Sequence, residues 1–238
     1  YLPEGTLNPQ AEYFDQTDVY GLQKLAAEKG KRCIVLFVFD GMDWQTTWAA
    51  AIAKSGKVGY REGRGTGLHF QDYRGAATDF GFFVTSPHDE GTTTDVNKQR
   101  VVTPGALRGG YDPASCGSTP WDTFTDAEYP IGKGVKFKHA YTDSASAATS
   151  LTCGIKTYND SVNVDPLGRQ TEPISHKLQR EGYAVGAVTS VPISHATPAC
   201  AYAQNVHRDD YQDLTRDMLG LPSIAHPGTP LPGLDVLI

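Results

Sequence analysis

The 238-residue chain has only four cysteines, and none of them is spaced like a metal-binding pair. Cys33, Cys116, Cys153 and Cys200 form neither a C-x-x-C pair nor a zinc-finger pattern. This excludes thiolate zinc sites of those kinds and a dense disulfide framework. We expect Cys33, at the start of an apolar run, and Cys153, in a helix, to be buried thiols. A bridge between Cys116 and Cys200 stays open, because spacing alone does not establish it.

Long apolar runs and an excess of positive charge are also missing. No stretch approaches the roughly 20 apolar residues that a membrane-spanning helix needs, so the sequence predicts no membrane span. Lys and Arg number 21 against 27 for Asp and Glu, which gives a net charge of −6 at pH 7. Such a balance argues against a nucleic-acid partner or an anionic membrane surface, and an anionic substrate would need a local site.

Several catalytic and binding motifs are absent as well. The glycine-rich run from Gly63 to Gly67 is not followed by GK[ST] and has no strand–helix frame, so we interpret it as turn sequence and not as a phosphate loop. A G-x-S-x-G nucleophile turn is missing, which argues against a serine esterase. The chain also shows no internal repeats and no low-complexity linker.

Helical and strand-like segments alternate along the chain. Helices are predicted at 18–29, 46–54, 145–151, 172–181 and 210–219, and strands at 33–39, 135–141, 183–189 and 235–238. Gly30, Gly154 and Gly182 are the expected stops of three of the helices. This alternation predicts an α/β layered fold with a mainly parallel sheet.

Polar residues follow three of the predicted strands at once. Asp40 comes directly after the first strand, Ser144 follows the second, and His195 and Thr197 follow the third. In an open parallel sheet, active residues collect at the carboxyl ends of the strands. The sequence therefore predicts that these side chains converge on one site.

The segment from Thr142 to Asn159, TDSASAATSLTCGIKTYN, is the most informative part of the chain. It places Ser144 in the first turn of a helix of small residues, directly after Asp143 and a predicted strand. A hydroxyl there faces the unpaired N–H groups and the positive dipole end of the helix, which also favour an arriving phosphate. Taken alone, an ordinary Asp and Ser helix cap would explain these residues without any chemistry.

This segment resembles the nucleophile segment of the alkaline phosphatase family, and two further segments resemble that family in the same order. Residues 35–43, VLFVFDGMD, are similar to its first core strand and metal-binding aspartate, here Asp40. Residues 188–213 are similar to the segment with a metal-ligand hydroxyl and a phosphate-binding arginine, here Thr197 and Arg208. The resemblance implies a three-layer α/β/α fold with a central, mainly parallel sheet.

The resemblance also implies a reaction, namely metal-dependent hydrolysis of phosphate monoesters through a phosphoserine at Ser144. A serine hydroxyl is a weak nucleophile at neutral pH, and in this family a zinc ion holds it as an alkoxide. Arg208 would clamp two phosphate oxygens, and Asp143 would orient that arginine.

The cofactors that the resemblance implies are two zinc ions and one magnesium ion. Asp40 and Ser144 match ligands of the metal cluster, and Thr197 would offer its hydroxyl to the magnesium. The family places aspartate or histidine at the position of His195, usually beside the magnesium site. A histidine nitrogen there would favour zinc over magnesium at this third site.

Residues 59–133 lie between the first two matching segments, where much of the family has a shorter connection. We predict that they form a surface insertion near the active-site mouth, with a role in substrate selection as a hypothesis. The remaining zinc ligands of the family are not found in the sequence, and residues 235–238 resemble the start of a family strand. We therefore expect residues 1–238 to be the N-terminal part of one longer domain, completed by the C-terminal half of the same enzyme.

Two alternatives remain open. A phosphodiesterase or sulfatase relative would share the sheet and metal site, although the sulfatase pattern C/S-x-P-x-R is absent around Ser144. A non-catalytic binding module would share the fold and lack the C-terminal zinc ligands. Because the family is mostly exported and commonly dimeric, the resemblance implies a periplasmic or secreted protein and a homodimer, with the arm before Asp18 as a segment that reaches a partner.

Overall fold

The computed structural model describes residues 15–72, 80–107, 110–129 and 141–238. The helices in these ranges are α1 (Asp18–Glu28), α2 (Trp44–Ser55), α3 (Pro113–Cys116), α4 (Ser144–Cys153), α5 (Ile174–Arg180), α6 (Ala196–Ala199) and α7 (Tyr211–Met218). The strands are β1 (Thr93–Asp95), β2 (Arg100–Thr103), β3 (Gly186–Ala187) and β4 (Val236–Leu237). All five predicted helices are confirmed, as α1, α2, α4, α5 and α7.

A side-chain cap explains where α2 begins, and a glycine explains where it ends. Asp43 precedes the helix and its Oδ1 accepts a hydrogen bond from the Thr46 amide at 2.7 Å, so the helix begins two residues earlier than predicted. At the other end Gly56 adopts φ = 72°, a left-handed conformation that glycine tolerates best. The indole N–H of Trp44 donates to the Gly63 carbonyl at 2.7 Å, which attaches the glycine-rich run to α2 as the predicted turn.

The core of the described part is built around α4, against which α1, α5 and α6 pack. Its buried members are mostly small, namely Ala145, Ala148, Val162, Ala187, Ala196, Ala199, Cys200, Ala203, Leu214 and Met218. Small side chains at a helix contact allow the two helix axes to approach closely. The alanines therefore place the beginning of α4 against α6 and the turn that follows it.

The sheets in the described residues are small. β1 and β2 form an antiparallel hairpin within residues 59–133. β3 and β4 pair in parallel, with Gly186 opposite Val236 and Ala187 opposite Leu237. The predicted strands 183–189 and 235–238 are thus reduced to one parallel pair of two residues each. The mixture of helices and short strands is that of an α/β protein, and the three-layer arrangement stays a prediction.

The strand predicted at 33–39 is wrong for this structure. Phe37 and Phe39 expose 77% and 66% of their surface, and no described strand pairs with the run. A strand in a parallel sheet needs hydrogen-bonding neighbours and cover on both faces, and the described residues supply neither. Cys33, predicted to be buried, is exposed for the same reason. The strand predicted at 135–141 lies outside the described residues apart from Tyr141.

The thiols of the described cysteines are free, so the bridge between Cys116 and Cys200 is not formed. The two residues belong to separate buried clusters, with Cys116 beside Tyr129 and Cys200 among the alanines around α4. Burial raises the pKa of both thiols. Cys153 is half-buried, and burial raises its pKa to about 11. A raised pKa keeps the thiols of Cys116, Cys153 and Cys200 protonated, so these three act as small packing groups of low reactivity.

Lowering the pH should destabilise the protein through His176 in α5. Burial lowers the pKa of His176 from its ordinary 6.5, against the hydrogen bond to the Tyr202 carbonyl and the charge of Glu172, which raise it. The unfolded chain therefore binds a proton first as the pH falls. Stability contributed by neutral His176 is present above about pH 6.5 and declines below it, by at most about 1.4 kcal/mol per pH unit for one proton.

Urea unfolding of wild type and His176→Gln between about pH 5 and pH 7 measures this effect. Glutamine keeps an N–H donor for the Tyr202 carbonyl but does not titrate, so the free energy of unfolding should vary less with pH in the variant. His69→Gln, at an exposed position, is the matched control and should keep the wild-type slope. Equal slopes in His176→Gln and wild type would contradict the prediction.

Candidate active site

The beginning of α4 presents Ser144 as predicted. Asp143 caps the helix, since its Oδ1 accepts from the Ser146 amide and the Ser146 hydroxyl, both at 2.8 Å. Gly154 ends the helix with φ = 69°. Ser144 is the first helical residue and is half-buried, and no described residue forms a hydrogen bond with its hydroxyl. The hydroxyl is therefore held at a helix N-terminus and is open to a ligand.

Arg208 reaches the same helix end from the other side of the site. Its Nη1 donates to Asp143 Oδ2 at 2.9 Å, and its side chain is only 24% exposed. Burial opposes the charge, but the hydrogen bond to Asp143 and the carboxylates nearby raise the pKa of Arg208 above its ordinary value. The structure thus brings Asp143 and Arg208 together beside Ser144. The other N–H donors of the guanidinium make no hydrogen bond with a described residue.

Carboxylates outnumber cations around this arginine. Asp143, Asp160 and Asp209 all act on the charge of Arg208. Asp160 has φ = 72°, and its carbonyl accepts from the Arg208 amide at 2.7 Å. Burial, together with the negative charge of Asp143, raises the pKa of Asp160. A phosphate dianion would meet one cation among three acids here, so tight binding needs additional positive charge.

Two of the predicted metal ligands touch each other. Thr197 Oγ1 donates to Asp40 Oδ2 at 2.7 Å, although 157 residues separate them in sequence. Asp40 is exposed and precedes Gly41, whose φ is 77°. Thr197 lies in α6, which is attached to the start of α4 by the Cys200 thiol, 3.4 Å from the Ala145 carbonyl.

His195 is not brought into contact with this pair. It precedes α6, and its ring stacks on Tyr211 with centroids 5.9 Å apart and an angle of 27°. The ring nitrogens form no hydrogen bond with a described residue. The place of His195 beside a third metal therefore stays a prediction.

The donor set decides which metal these residues fit. Within the described ranges, no three His, Cys, Asp or Glu side chains come together as they would around a metal ion. Asp40 and Thr197, which contact each other, offer oxygen atoms, and oxygen ligands suit magnesium, an ion that keeps several of its waters. Zinc takes three or four protein ligands, usually with nitrogen or sulfur among them. The described residues fit part of a magnesium site and do not fit a zinc pair.

Two further residues join the site without having been predicted. Asn159 Oδ1 accepts from the Asp143 backbone N–H at 2.7 Å and lies 2.9 Å from the buried Ser146 hydroxyl, whose single proton it shares with Asp143 Oδ1. The backbone N–H of Asn159 in turn donates to Asp89 Oδ1 at 2.6 Å, across 70 residues. Asn159 is the last residue of the segment 142–159 and was assigned no role there. Asp89 lies in residues 59–133, which match no family segment. The sequence gives no signal that would pair them.

The comparisons with known proteins confirm the resemblance. The family model described as Alkaline phosphatase matches residues 127–226. This range includes Ser144, Thr197 and Arg208 and leaves out Asp40. Two of the three resembling segments, 142–159 and 188–213, therefore lie in a region similar to alkaline phosphatases, and the match covers less than half of the chain.

Individual relatives agree over similar lengths. Alkaline phosphatase 4 of Bacillus subtilis is 35% identical over 78 residues, which are 33% of this chain and 17% of that protein. The alkaline phosphatase of Gadus morhua is 31% identical over 119 residues, which are 46% of this chain and 24% of that protein. The chain thus spans about a sixth to a quarter of these curated relatives.

Two solved structures are also similar in sequence to part of the chain. The alkaline phosphatase of the Antarctic bacterium TAB5 is 37% identical over 33% of this chain and 23% of that chain, with a TM-score of 0.32. A variant of the TAB5 enzyme, described with magnesium bound in its M3 site, is 34% identical over 34% of this chain and 24% of that chain, with a TM-score of 0.33.

Proposed function

We propose, from the confirmed resemblance over residues 127–226, that the protein hydrolyses phosphate monoesters through a phosphoserine intermediate at Ser144. The observation that carries the proposal is the position of Ser144 beside the Asp143–Arg208 pair at the start of α4. Its hydroxyl would attack the phosphorus atom, the alcohol would leave, and water would then release phosphate from the serine.

The residues of this chain would bind the transferred phosphoryl group from two directions. The Ser146 and Ala147 amides at the beginning of α4 already donate to Asp143, so the N–H groups before them would be the ones to meet a phosphate on Ser144. Arg208 has N–H donors left after its bond to Asp143, and a guanidinium matches two phosphate oxygens. Asp143 accepts the bond that fixes the guanidinium, so its role would be to orient Arg208 and to cap the helix.

Metal ions would supply the additional positive charge that a phosphate needs beside the three carboxylates around Arg208. We propose two zinc ions and one magnesium ion, with Asp40, Ser144, Thr197 and His195 as the ligands from this chain. A bound divalent cation lowers the pKa of an attached hydroxyl and neutralises charge on the phosphoryl oxygens. Because the described residues do not fit a zinc pair, the remaining ligands would come from elsewhere, which we propose to be a C-terminal half of the same enzyme.

The wider setting follows from the same resemblance. We propose a periplasmic or secreted enzyme that forms a homodimer, and one domain in which residues 59–133 are an insertion. Among the helices of the described ranges, none is long and apolar enough to cross a membrane. Phosphate monoesters of varied alcohols are the proposed substrates, because the recognised group is the phosphoryl group and not the leaving group.

Hydrolysis of a chromogenic phosphate monoester, with and without a chelator, tests the proposal on the protein in its full natural length. Metal contributes several kcal/mol of charge stabilisation, so chelation should lower turnover by at least about 100-fold, and zinc with magnesium should restore it. Faster hydrolysis of a phosphate diester or a sulfate ester would favour the sulfatase-like alternative. Absence of turnover with both metals added would favour a binding module. Either result would contradict the proposal.

A further inference from the structure

A chain of hydrogen bonds runs from the predicted insertion, residues 59–133, to Arg208. Asp89 Oδ1 accepts from the Asn159 backbone N–H at 2.6 Å, and the Asn159 side-chain oxygen accepts from the Asp143 backbone N–H at 2.7 Å. Asp143 Oδ2 in turn accepts from Arg208 Nη1 at 2.9 Å. Each link crosses between segments far apart in sequence, so none of them belongs to a local turn. Asn159 and Asp143 are therefore connected to a side chain from residues 59–133, that of Asp89.

Asp89 itself is well fixed. It is 7% exposed and lies in a tight turn, where its amide donates to the Ser86 carbonyl and its carbonyl accepts from the Thr92 amide, both at 3.2 Å. The Ser86 amide donates to the Thr157 carbonyl at 2.9 Å. The turn is thus attached to the backbone two residues before Asn159, which presents the Asp89 carboxylate to Asn159 in one geometry.

The carboxylate also favours one orientation of the Asn159 side-chain amide, together with the Tyr141 carbonyl, which lies 3.5 Å from Asn159 Nδ2. Asp89 Oδ2 lies 3.4 Å from Asn159 Nδ2, so the amide nitrogen points toward the acid. In that orientation Oδ1 accepts from the Asp143 backbone N–H and faces the Ser146 hydroxyl at 2.9 Å. A flipped amide would set oxygen against the carboxylate and N–H against the Asp143 N–H, leaving unpaired groups in a partly buried site.

We propose that Asp89 is a positioning residue for phosphoryl transfer, acting through Asn159 on Asp143 and thereby on Arg208 and the start of α4. This rests on the proposed phosphatase function. The carboxylate of Asp89 touches neither substrate nor metal in this scheme. Its contribution is to hold the acceptor of Asn159 against the Asp143 backbone, so that the Asp143 side chain keeps both its cap and its bond to Arg208.

Steady-state kinetics of Asp89→Ala, Asp89→Asn, Asn159→Ala and the double variant Asp89→Ala/Asn159→Ala test this inference in the full natural-length protein. Displacing an orienting group usually lowers turnover by roughly 10- to 100-fold, which we expect in kcat for Asp89→Ala. Asp89→Asn retains an acceptor for the Asn159 amide and should recover part of that loss. The double variant should be no slower than the slower single variant, because both changes break one chain.

Two controls separate positioning from general loss of structure. Asp95→Ala lies in the same segment and removes only a surface pair with Lys98, so kcat should stay near wild type. Amide hydrogen exchange of the peptide around Asp143 should rise in Asp89→Ala, since the Asp143 amide loses a fixed acceptor. Unfolding midpoints of all variants show whether they are folded under the assay conditions.

The outcomes distinguish this inference from the proposed function. Unchanged kcat in Asp89→Ala, or losses that multiply fully in the double variant, would overturn the positioning role while the phosphatase function stands. An inactive wild type in which Asp89→Ala still raises exchange at Asp143 would overturn the phosphatase function and the catalytic role, and keep the structural link. If Asp89→Ala does not fold, the test uses Asp89→Asn in its place. A folded Asp89→Asn with wild-type kcat and unchanged amide exchange around Asp143 would also overturn the inference.

Discussion

Ser144→Ala should lower phosphate monoester hydrolysis by on the order of 10⁴-fold or more in the full natural-length protein, because the group that forms the covalent intermediate is removed. The hydroxyl has no hydrogen-bond partner among the described residues, so its removal leaves no buried polar group unpaired. Folding should therefore be unaffected, and the loss should fall on kcat. Initial rates and urea unfolding of the same preparations measure the two effects.

Ser150→Ala in the same helix is the matched control for this substitution. Ser150 is buried and its hydroxyl donates to the Ser146 carbonyl at 3.0 Å within α4, away from the helix N-terminus. Its replacement should affect stability more than turnover. Mass spectrometry of the peptide at 142–159 after incubation with substrate should show a phosphate adduct in wild type and none in Ser144→Ala. Wild-type turnover in Ser144→Ala would show that another nucleophile serves the reaction.

The local half of this site could be predicted because its signals are local. Asp143, the small residues after it and Gly154 are a cap, a helix and a stop within one short segment. The cap at Asp43 was missed by two residues, since the Asp43–Thr46 bond depends on geometry and not on periodicity. Thus α4 and the place of Ser144 in its first turn could be predicted from neighbouring residues, whereas the role of Ser144 as a nucleophile comes from the resemblance and stays a proposal.

The long-range half could not be predicted in the same way. The run at 33–39 has the composition of a buried strand, but a strand forms only where neighbours pair with it, and the described residues provide none. The convergence of Asp40 and Thr197 was expected from their places after predicted strands and from the family resemblance, but neither predicted the direct hydrogen bond between them. Asp89 and Asn159 meet across 70 residues, and two polar residues so far apart leave no pattern in a single sequence.

The region at 59–133 is more closely tied to the site than its composition suggests. Besides the Asp89–Asn159 contact, Gln99 connects it to the segment that leads to Arg208. The Gln99 side chain donates to Asn205 Oδ1 at 3.1 Å and accepts from the Val206 amide at 3.2 Å. Gln99 has φ = 46°, a conformation that non-glycine residues rarely adopt. The region is therefore hydrogen-bonded both to Asn159 and to the segment that leads to Arg208.

Asn163→Ala should be among the most destabilising single substitutions in the described part of the chain. Asn163 is fully buried, and its Nδ2 donates to the Cys200 and Ala203 carbonyls, both at 2.8 Å. Its Oδ1 accepts from the Thr152 hydroxyl at 2.9 Å. The side chain therefore joins the end of α4 to the turn after α6. Alanine would leave the two carbonyls without this donor, whereas the Thr152 hydroxyl would keep the Ala148 carbonyl at 2.9 Å as its acceptor.

Each unpaired buried group costs about 1–3 kcal/mol, so the free energy of unfolding should fall by roughly 3–5 kcal/mol in Asn163→Ala. Urea unfolding measures this difference. The backbone at Asn163 has φ = 50°, which costs alanine about 1–2 kcal/mol relative to glycine. Asn163→Gly loses the same hydrogen bonds without that strain and should be more stable than Asn163→Ala by about that amount.

Asn97→Ala, at an exposed position, is the matched control and should change the free energy of unfolding by less than about 0.5 kcal/mol. Asn163→Asp separates shape from hydrogen bonding, because a carboxylate of the same size would set oxygen against the Cys200 and Ala203 carbonyls. It should therefore be destabilised at least as much as Asn163→Ala. If Asn163→Asp were as stable as wild type, the two N–H bonds would not hold α4 against the turn after α6. The alignment of Ser144 with Thr197 would then depend on the alanine contacts between the two helices alone.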